Sequence, residues 1–232
     1  MSCSSLKSLS RAVYEEQQEN VHKNVEEINK YLKTKGNLWN TSQSLTVWRK
    51  SLVFSCKGFT VIDSCGNLVY RVDNYTLHPN EVILMDASGN SLFTMRRRTK
   101  FGLIESWYVY EGEMENQCKR RSNIDKSRKI PICCVKKSVN ILTNNPKVQA
   151  CVYHVTSDSY KRHAMFTIEG SYEHRTCKVL DESKRVVVEI KRKEANSKNV
   201  SFGIEIFQLI VHPGFDPDFA MAIVLLLDQM FS

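Results

Sequence analysis

Asp216-Pro217-Asp218-Phe219-Ala220-Met221-Ala222-Ile223-Val224-Leu225-Leu226-Leu227-Asp228-Gln229-Met230-Phe231 is the stretch whose reading decides the fold. Asp216 is placed to cap a helix, and Pro217 at the first helical position loses no needed donor. Phe219 to Leu227 is then apolar without a break. A helix that is apolar all round must be buried. It is too short to cross a bilayer, which takes about 20 residues. Basic anchors are also missing on its C-terminal side. The segment 217–231 is therefore expected to be core, with no membrane-spanning role.

What surrounds that helix is read from the chain before it. Three segments share one plan: Val61-Ile62-Asp63 to Val72, Leu84-Met85-Asp86 to Met95, and Val179-Leu180-Asp181 to Ile190. Each has two apolar residues, an Asp, a short polar turn and then a strand. The Asp can accept from turn amides, and Gly66 and Gly89 supply positive φ. Further strand-like runs lie around 104–111, 130–137, 147–155, 164–170 and 202–211, with short turns and no crossover helices. The total is about a dozen strands in an antiparallel meander that closes on itself or stacks. An eight-stranded barrel is filled by its own side chains, but about twelve strands leave a lumen wide enough for a helix of about 10–12 Å. The expected fold class is mainly β, a closed antiparallel barrel of about twelve strands around a buried hydrophobic C-terminal helix. The expected domains are a polar arm at 1–40, helical or disordered, and a barrel domain at 41–232. In the arm, Val21, Val25, Ile28 and Leu32 recur at helical spacing, but the stripe does not continue backward.

The whole chain fits this reading. It has 232 residues, 42% hydrophobic and 25% charged, with only 9 glycines and 5 prolines. That is a globular composition, not a linker or low-complexity one. The 8 cysteines form no C-x-x-C pair, and no metal site is expected from them. The opening Met-Ser-Cys-Ser-Ser-Leu-Lys lacks the apolar stretch of a signal peptide, so reduced thiols and a cytoplasmic location are expected. The triplets at Asn40, Asn74 and Asn199 then carry no glycan. Ser2 excludes N-myristoylation.

The residues quoted above, together with Leu45 to Phe54, Tyr70-Arg-Val-Asp-Asn-Tyr75 and Glu189-Ile-Lys-Arg-Lys-Glu-Ala195, resemble the LURP-one-related proteins of plants. The resemblance covers roughly residues 44–231. It implies a tubby C-terminal-like fold, a twelve-stranded barrel around a hydrophobic helix, shared with phospholipid scramblases and tubby proteins. Tubby proteins bind phosphoinositides and have been regarded as membrane-tethered transcription factors, and a founding member of the plant family is linked with defence. The tubby lipid-site motif has no match here, so no binding residue is carried over.

Catalytic motifs are missing: no Gly-x-Ser-x-Gly elbow, no phosphate-cradling loop, no His-Glu-x-x-His. The histidines are scattered in sequence, and no catalytic residue, cofactor or metal ligand is assigned. The chain carries a formal charge of +8, which suits an anionic partner. Two basic clusters, Arg96-Arg97-Arg98 and Lys191-Arg192-Lys193, stand at equivalent positions after the turn Asp; the first repeat has Asp73-Asn74-Tyr75 there. They are candidates for binding a phospholipid or phosphoinositide headgroup at one barrel rim, since Arg forks suit phosphate. The plainer reading is a pair of solvated strand ends that use charge against aggregation. A second basic stretch, Lys119-Arg120-Arg121 with Lys126, Arg128 and Lys129, reads as a loop that can also approach anionic lipid. Peripheral attachment at the plasma membrane, with shuttling to the nucleus, follows from the first reading. A protein-interaction scaffold is the alternative. Nucleic acid is ranked last, because the basic runs lack interleaved aromatics and the one strong helix is buried. A helix sealed in a barrel also offers no transmembrane path for scramblase-type transport.

Overall fold

The computed structural model describes residues 40–54, 56–74, 80–100, 104–114, 129–138, 148–155, 163–194 and 202–232. The arm expected at 1–40 lies outside these residues except for Asn40. The strands are β1 (Gln43–Trp48), β2 (Lys57–Ile62), β3 (Leu68–Asn74), β4 (Glu81–Asp86), β5 (Ser91–Lys100) and β6 (Ile104–Glu111). They continue as β7 (Cys133–Lys137), β8 (Val148–His154), β9 (Ala164–Ser171), β10 (Thr176–Leu180), β11 (Val186–Arg192) and β12 (Ile206–Val211). Each pairs antiparallel with its sequence neighbours, and β1 pairs with β12 from Gln43↔Val211 to Trp48↔Ile206, which closes the barrel. Helix α1 (Pro217–Phe231) follows β12.

The barrel works because the strands alternate. Val47, Val61, Leu84, Met95, Val109, Val135, Val152, Val179, Ile190 and Leu209 point inward and are essentially sealed from solvent. They pack against α1, whose residues from Phe219 to Leu227 are all buried. Asp216 caps the helix, accepting from the Asp218 amide at 2.9 Å. Phe219 meets Phe93 edge-on, with centroids 6.3 Å apart, and anchors the helix start to β5. Two strand-like runs begin later than the sequence suggests. β7 starts at Cys133 rather than 130, since Pro131 cannot donate to a ladder. β12 starts at Ile206 rather than 202, behind a turn in which the Ile206 amide donates to the Gly203 carbonyl at 3.1 Å.

The three repeated hairpins share one turn. In each, the Asp amide donates across the turn at 3.0 Å, from Asp63 to Asn67, Asp86 to Asn90 and Asp181 to Arg185. The Asp carboxylate takes the amide of that same partner at 2.8–2.9 Å. Hydrogen bonds from the Asn67 and Asn90 side chains and backbones hold the Asp63 and Asp86 carboxyls below the usual carboxylate range. Just before each Asp the strand register shifts, at Val61/Ile62, Leu84/Met85 and Val179/Leu180. These bulges explain why two apolar residues stand in a row at each site.

The third turn departs from the first two at one place. Lys184, φ 61°, stands where Gly66 and Gly89 adopt φ of 89° and 90°. A side chain in the left-handed region is disfavoured by about 1–2 kcal/mol. Lys184→Gly is therefore expected to raise stability by about 0.5–1 kcal/mol, after the entropy glycine loses on folding. A thermal melt reads this directly, and an unchanged or lower midpoint would show that the turn carries no such strain.

Candidate functional site

Alternating strand directions sort the charges of the barrel into two rims. Odd-numbered strands end, and even-numbered strands begin, at the rim where α1 also ends. Arg49, Lys50, Lys57, Arg96, Arg97, Arg98, Lys136, Lys137, Arg175, Lys191, Arg192 and Lys193 stand on this rim. They outnumber its carboxylates Asp73, Glu81, Glu105, Glu169, Glu173, Glu194, Glu205 and Asp228. The opposite rim, where α1 begins, carries Asp63, Asp86, Glu111, Glu113, Asp181, Glu182, Asp216 and Asp218 against Lys129, Lys184 and Arg185 among the described residues. Among the described residues the barrel is thus basic at one end and acidic at the other; the part of the β6–β7 connection with Lys119, Arg120, Arg121, Lys126 and Arg128 lies outside them.

Both sequence-selected clusters lie on the basic rim, because β5 and β11 run the same way. They stand half the ring apart, however, on opposite walls of the mouth. They form two patches across an opening rather than one contiguous site. Arg97 continues the inward register of Phe93 and Met95, and Arg192 that of Val188 and Ile190, so both belong to the face that lines the mouth.

Their present partners differ. Arg96 is ion-paired with Glu81, its cross-strand neighbour. Arg97 donates to the Asn80 side chain at 3.0 Å and lies 3.6 Å from Glu105. The Arg98 guanidinium lies 5.2 Å from the Tyr108 ring centre. Lys191 pairs with Glu189 at 3.0 Å. Burial pushes the Glu189 carboxyl up, but hydrogen bonds from Lys191 and His212 outweigh it and leave it below the ordinary value. Arg192 donates to the His174 carbonyl at 3.1 Å, and Lys193 to the Thr46 hydroxyl at 2.8 Å. Arg97, Arg98 and Arg192 are all exposed, whereas Arg96 is half-buried against Glu81. From the second basic stretch only Lys129 is described. It donates to the Glu111 and Glu113 carbonyls at 3.2 and 2.6 Å on the acidic rim. Lys119, Arg120, Arg121, Lys126 and Arg128 lie outside the described residues.

Other rim residues were not singled out by sequence. Helix α1 has no basic residue in its last turn, where its dipole is negative. The wall supplies cations instead. Arg49 meets Asp228 at 2.9 Å, and Lys137 reaches the Met230 carbonyl at 3.4 Å and the Phe231 ring at 4.5 Å. Tyr172 donates to Asp228 at 3.2 Å. Burial and that carboxylate push the Tyr172 hydroxyl pKa far above its ordinary value. Arg175 is only 3% exposed and sits between the Tyr172 and Phe207 rings, at 4.2 and 4.5 Å. At the helix start the Tyr70 hydroxyl donates to Asp218 at 2.6 Å. Asp228 was signalled by its interruption of the apolar run. Arg175, in a short hairpin turn, left no signal.

A cleft of about 700 Å³ opens on the basic rim beside the helix end, lined by Arg49, Lys50, Lys57, Phe59, Glu205 and Asp228. A second, of about 570 Å³, lies on the acidic rim among His154, Asp181, Phe166, Phe215 and His212. Among the described residues no group of His, Cys, Asp and Glu is placed to hold a metal ion. Burial pushes the Cys177 thiol up to about 12, and raises Cys133 and Cys151 as well, which keeps these thiols protonated and inert. No helix among the described residues is long and apolar enough to cross a membrane.

By architecture the chain is a closed twelve-strand antiparallel barrel plugged by its own helix. The comparisons with known proteins name the family. The LURP-one-related family model matches residues 43–228, and the chain belongs to that family. Protein LURP-one-related 17 of Arabidopsis thaliana is 49% identical over 193 residues, covering 82% of this chain and 83% of its own length. Protein LURP-one-related 8 of the same plant is 44% identical over 190 residues, 81% of this chain and 86% of its own. An X-ray structure of a protein from Arabidopsis thaliana matches with a TM-score of 0.57 at 20% identity, covering 86% of this chain and 97% of that one. That likeness is one of fold.

Proposed function

We propose that this chain is a non-enzymatic regulator that tethers to anionic membrane through its basic rim. The rim would read phosphoinositide or other anionic phospholipid headgroups, in plant defence or signalling. The observation that carries the reading is the division of charge among the described residues: cations outnumber carboxylates on one rim, and carboxylates outnumber cations on the other. A body so polarised orients itself near an anionic surface, basic end first. The tubby C-terminal-like fold that the resemblance to LURP-one-related proteins implies is shared with tubby proteins, which bind phosphoinositides, and this supports the same reading. Peripheral attachment needs no spanning helix.

The test is co-sedimentation with phosphatidylcholine vesicles with and without phosphoinositide, at two salt concentrations. The informative variant is Arg97→Glu/Arg98→Glu/Arg192→Glu, which leaves the ion-paired Arg96 and Lys191 in place and draws on both walls of the mouth. A basic residue near an anionic surface contributes about 1 kcal/mol, about fivefold in affinity. Reversal at these positions is expected to reduce binding by at least about a hundredfold at low salt. Binding by the wild type should weaken as salt rises. A variant that folds, by its circular dichroism and melting point, and still binds like the wild type would remove the rim from the mechanism. The pairing of Arg96 with Glu81 and Lys191 with Glu189 favours a second reading, a protein-interaction scaffold with no lipid ligand. In that case no anionic vesicle would bind the wild type.

A further inference from the structure

The large hydrophobic side chains exposed among the described residues are not scattered. They are Trp48, Leu52, Phe54, Ile130 and Ile204, and all but Ile130 stand on one sector of the basic rim. Trp48 ends β1, and Leu52 (58% exposed) and Phe54 (95% exposed) lie in the β1–β2 connection. Ile204 lies just before β12, the strand paired with β1, and the Arg49 amide donates to the Glu205 carbonyl at 2.8 Å. Contiguous exposed apolar surface with a polar rim marks an interaction site.

The connection is built to present these groups. Ser51 is buried and donates to the Asp73 carboxylate, which Arg71 in turn clamps. The Ser51 hydroxyl also takes the Val53 amide at 2.9 Å, the Cys56 amide donates to the Val53 carbonyl at 3.2 Å, and Thr60 donates to the Lys50 carbonyl at 2.7 Å. Asp73 stands at the position where the other two repeats carry Arg96 and Lys191, so the exception in the repeat is the residue that fastens this loop. A buried polar anchor thus fixes a turn whose tip points Leu52 and Phe54 at solvent. Lys50, 5.2 Å from the Trp48 ring, and Lys57, the first residue of β2, flank the connection. The 700 Å³ cleft lies directly behind it, and its two carboxylates, Glu205 and Asp228, are both engaged by Arg49. Lys50 and Lys57 therefore set the sign of the cleft.

We infer that the β1–β2 connection is an insertion wedge for anionic membrane. Leu52 and Phe54 enter the boundary between headgroups and acyl chains, Trp48 sits at the headgroup level, and Lys50 and Lys57 hold a lipid phosphate at the cleft mouth. Apolar groups ringed by lysines match that boundary, where apolar depth and negative charge lie within a few ångströms. The inference rests on the membrane-tethering reading and gives it a depth and an orientation.

The test uses the full chain with vesicles of phosphatidylcholine and phosphatidylserine carrying brominated acyl chains. Trp48 fluorescence should be quenched on binding. In a Trp39→Phe background, which removes the third tryptophan of the chain, a Trp48→Phe variant should lose that quenching, since Trp107 is sealed in the barrel at 1% exposure. Leu52→Ser/Phe54→Ser should keep the wild-type melting point, because both side chains are exposed, and bind at least about tenfold more weakly at high salt, where the charge contribution is screened. Wild-type binding with no quenching and no loss in the double variant would overturn the wedge and leave the basic rim as the tether. Failure of the wild type to bind anionic vesicles would overturn both. Wild-type self-association abolished by the double variant, with vesicles ignored, would assign the patch to a second copy of the chain and also overturn the wedge.

Discussion

Gly170→Ala is expected to lower stability by about 3–5 kcal/mol, which for a chain of this size is a fall of roughly 6–20 °C in the melting point. Gly170 sits in β9 opposite Cys177, at φ +103°. A Cβ added there would lie 2.0 Å from the Thr176 carbonyl oxygen and 3.1 Å from its carbon. Both obstacles are backbone, so no side chain can move aside, and the conformation is one that L residues rarely adopt. The nearby turn holds the buried Arg175 between Tyr172 and Phe207, so displaced strands would also disturb that stack. Gly203→Ala is the control. It has open space and no positive φ, and it should change stability by less than about 0.5 kcal/mol. If both variants melt like the wild type, β9 and β10 are not packed as described.

The second large effect concerns the plug. Leu227 is fully buried within the barrel, and Leu227→Ala should cost about 2–5 kcal/mol. The range reflects how far the surrounding wall can relax, and a closed ring of hydrogen-bonded strands relaxes little. Gln229→Ala, two residues on and only half-buried, should cost less than about 0.5 kcal/mol. Chemical denaturation of the two variants measures the contrast. Equal and small effects would mean that the helix does not fill the lumen.

The fold was legible because its signals are local and repeat. An apolar run capped by Asp216-Pro217 had to be buried, and the three Asp turns marked hairpins. Counting strands then left a lumen for the helix. What the sequence concealed was non-local or irregular. The paired apolar residues before each turn Asp were visible, but their cause, a bulge, depends on the partner strand. The basic clusters could be placed at equivalent strand ends. Their separation by half the ring needed the strand order, and the pairing of Arg96 with Glu81 needed the register. Asp73 looked like a break in the repeat until Ser51 was seen to depend on it. Exposure of Leu52 and Phe54 runs against hydrophobic patterning, so no local signal in the sequence marks it.

The order in which the ribosome delivers these elements gives the closure of the barrel one more consequence. The hydrogen bond that Ser42 makes to the Val211 carbonyl joins residues 169 positions apart, and the β1–β12 seam lies beside it. No early segment of the nascent chain can therefore complete the sheet, and contacts so distant in sequence form slowly. The helix that fills the interior is synthesised after every strand. Until the helix emerges the cell holds a nearly complete wall with an apolar, empty middle, the kind of species that aggregates or recruits chaperones. A premature stop just before Pro217 would make that state permanent, so loss of the helix alone should act as a loss of the whole barrel.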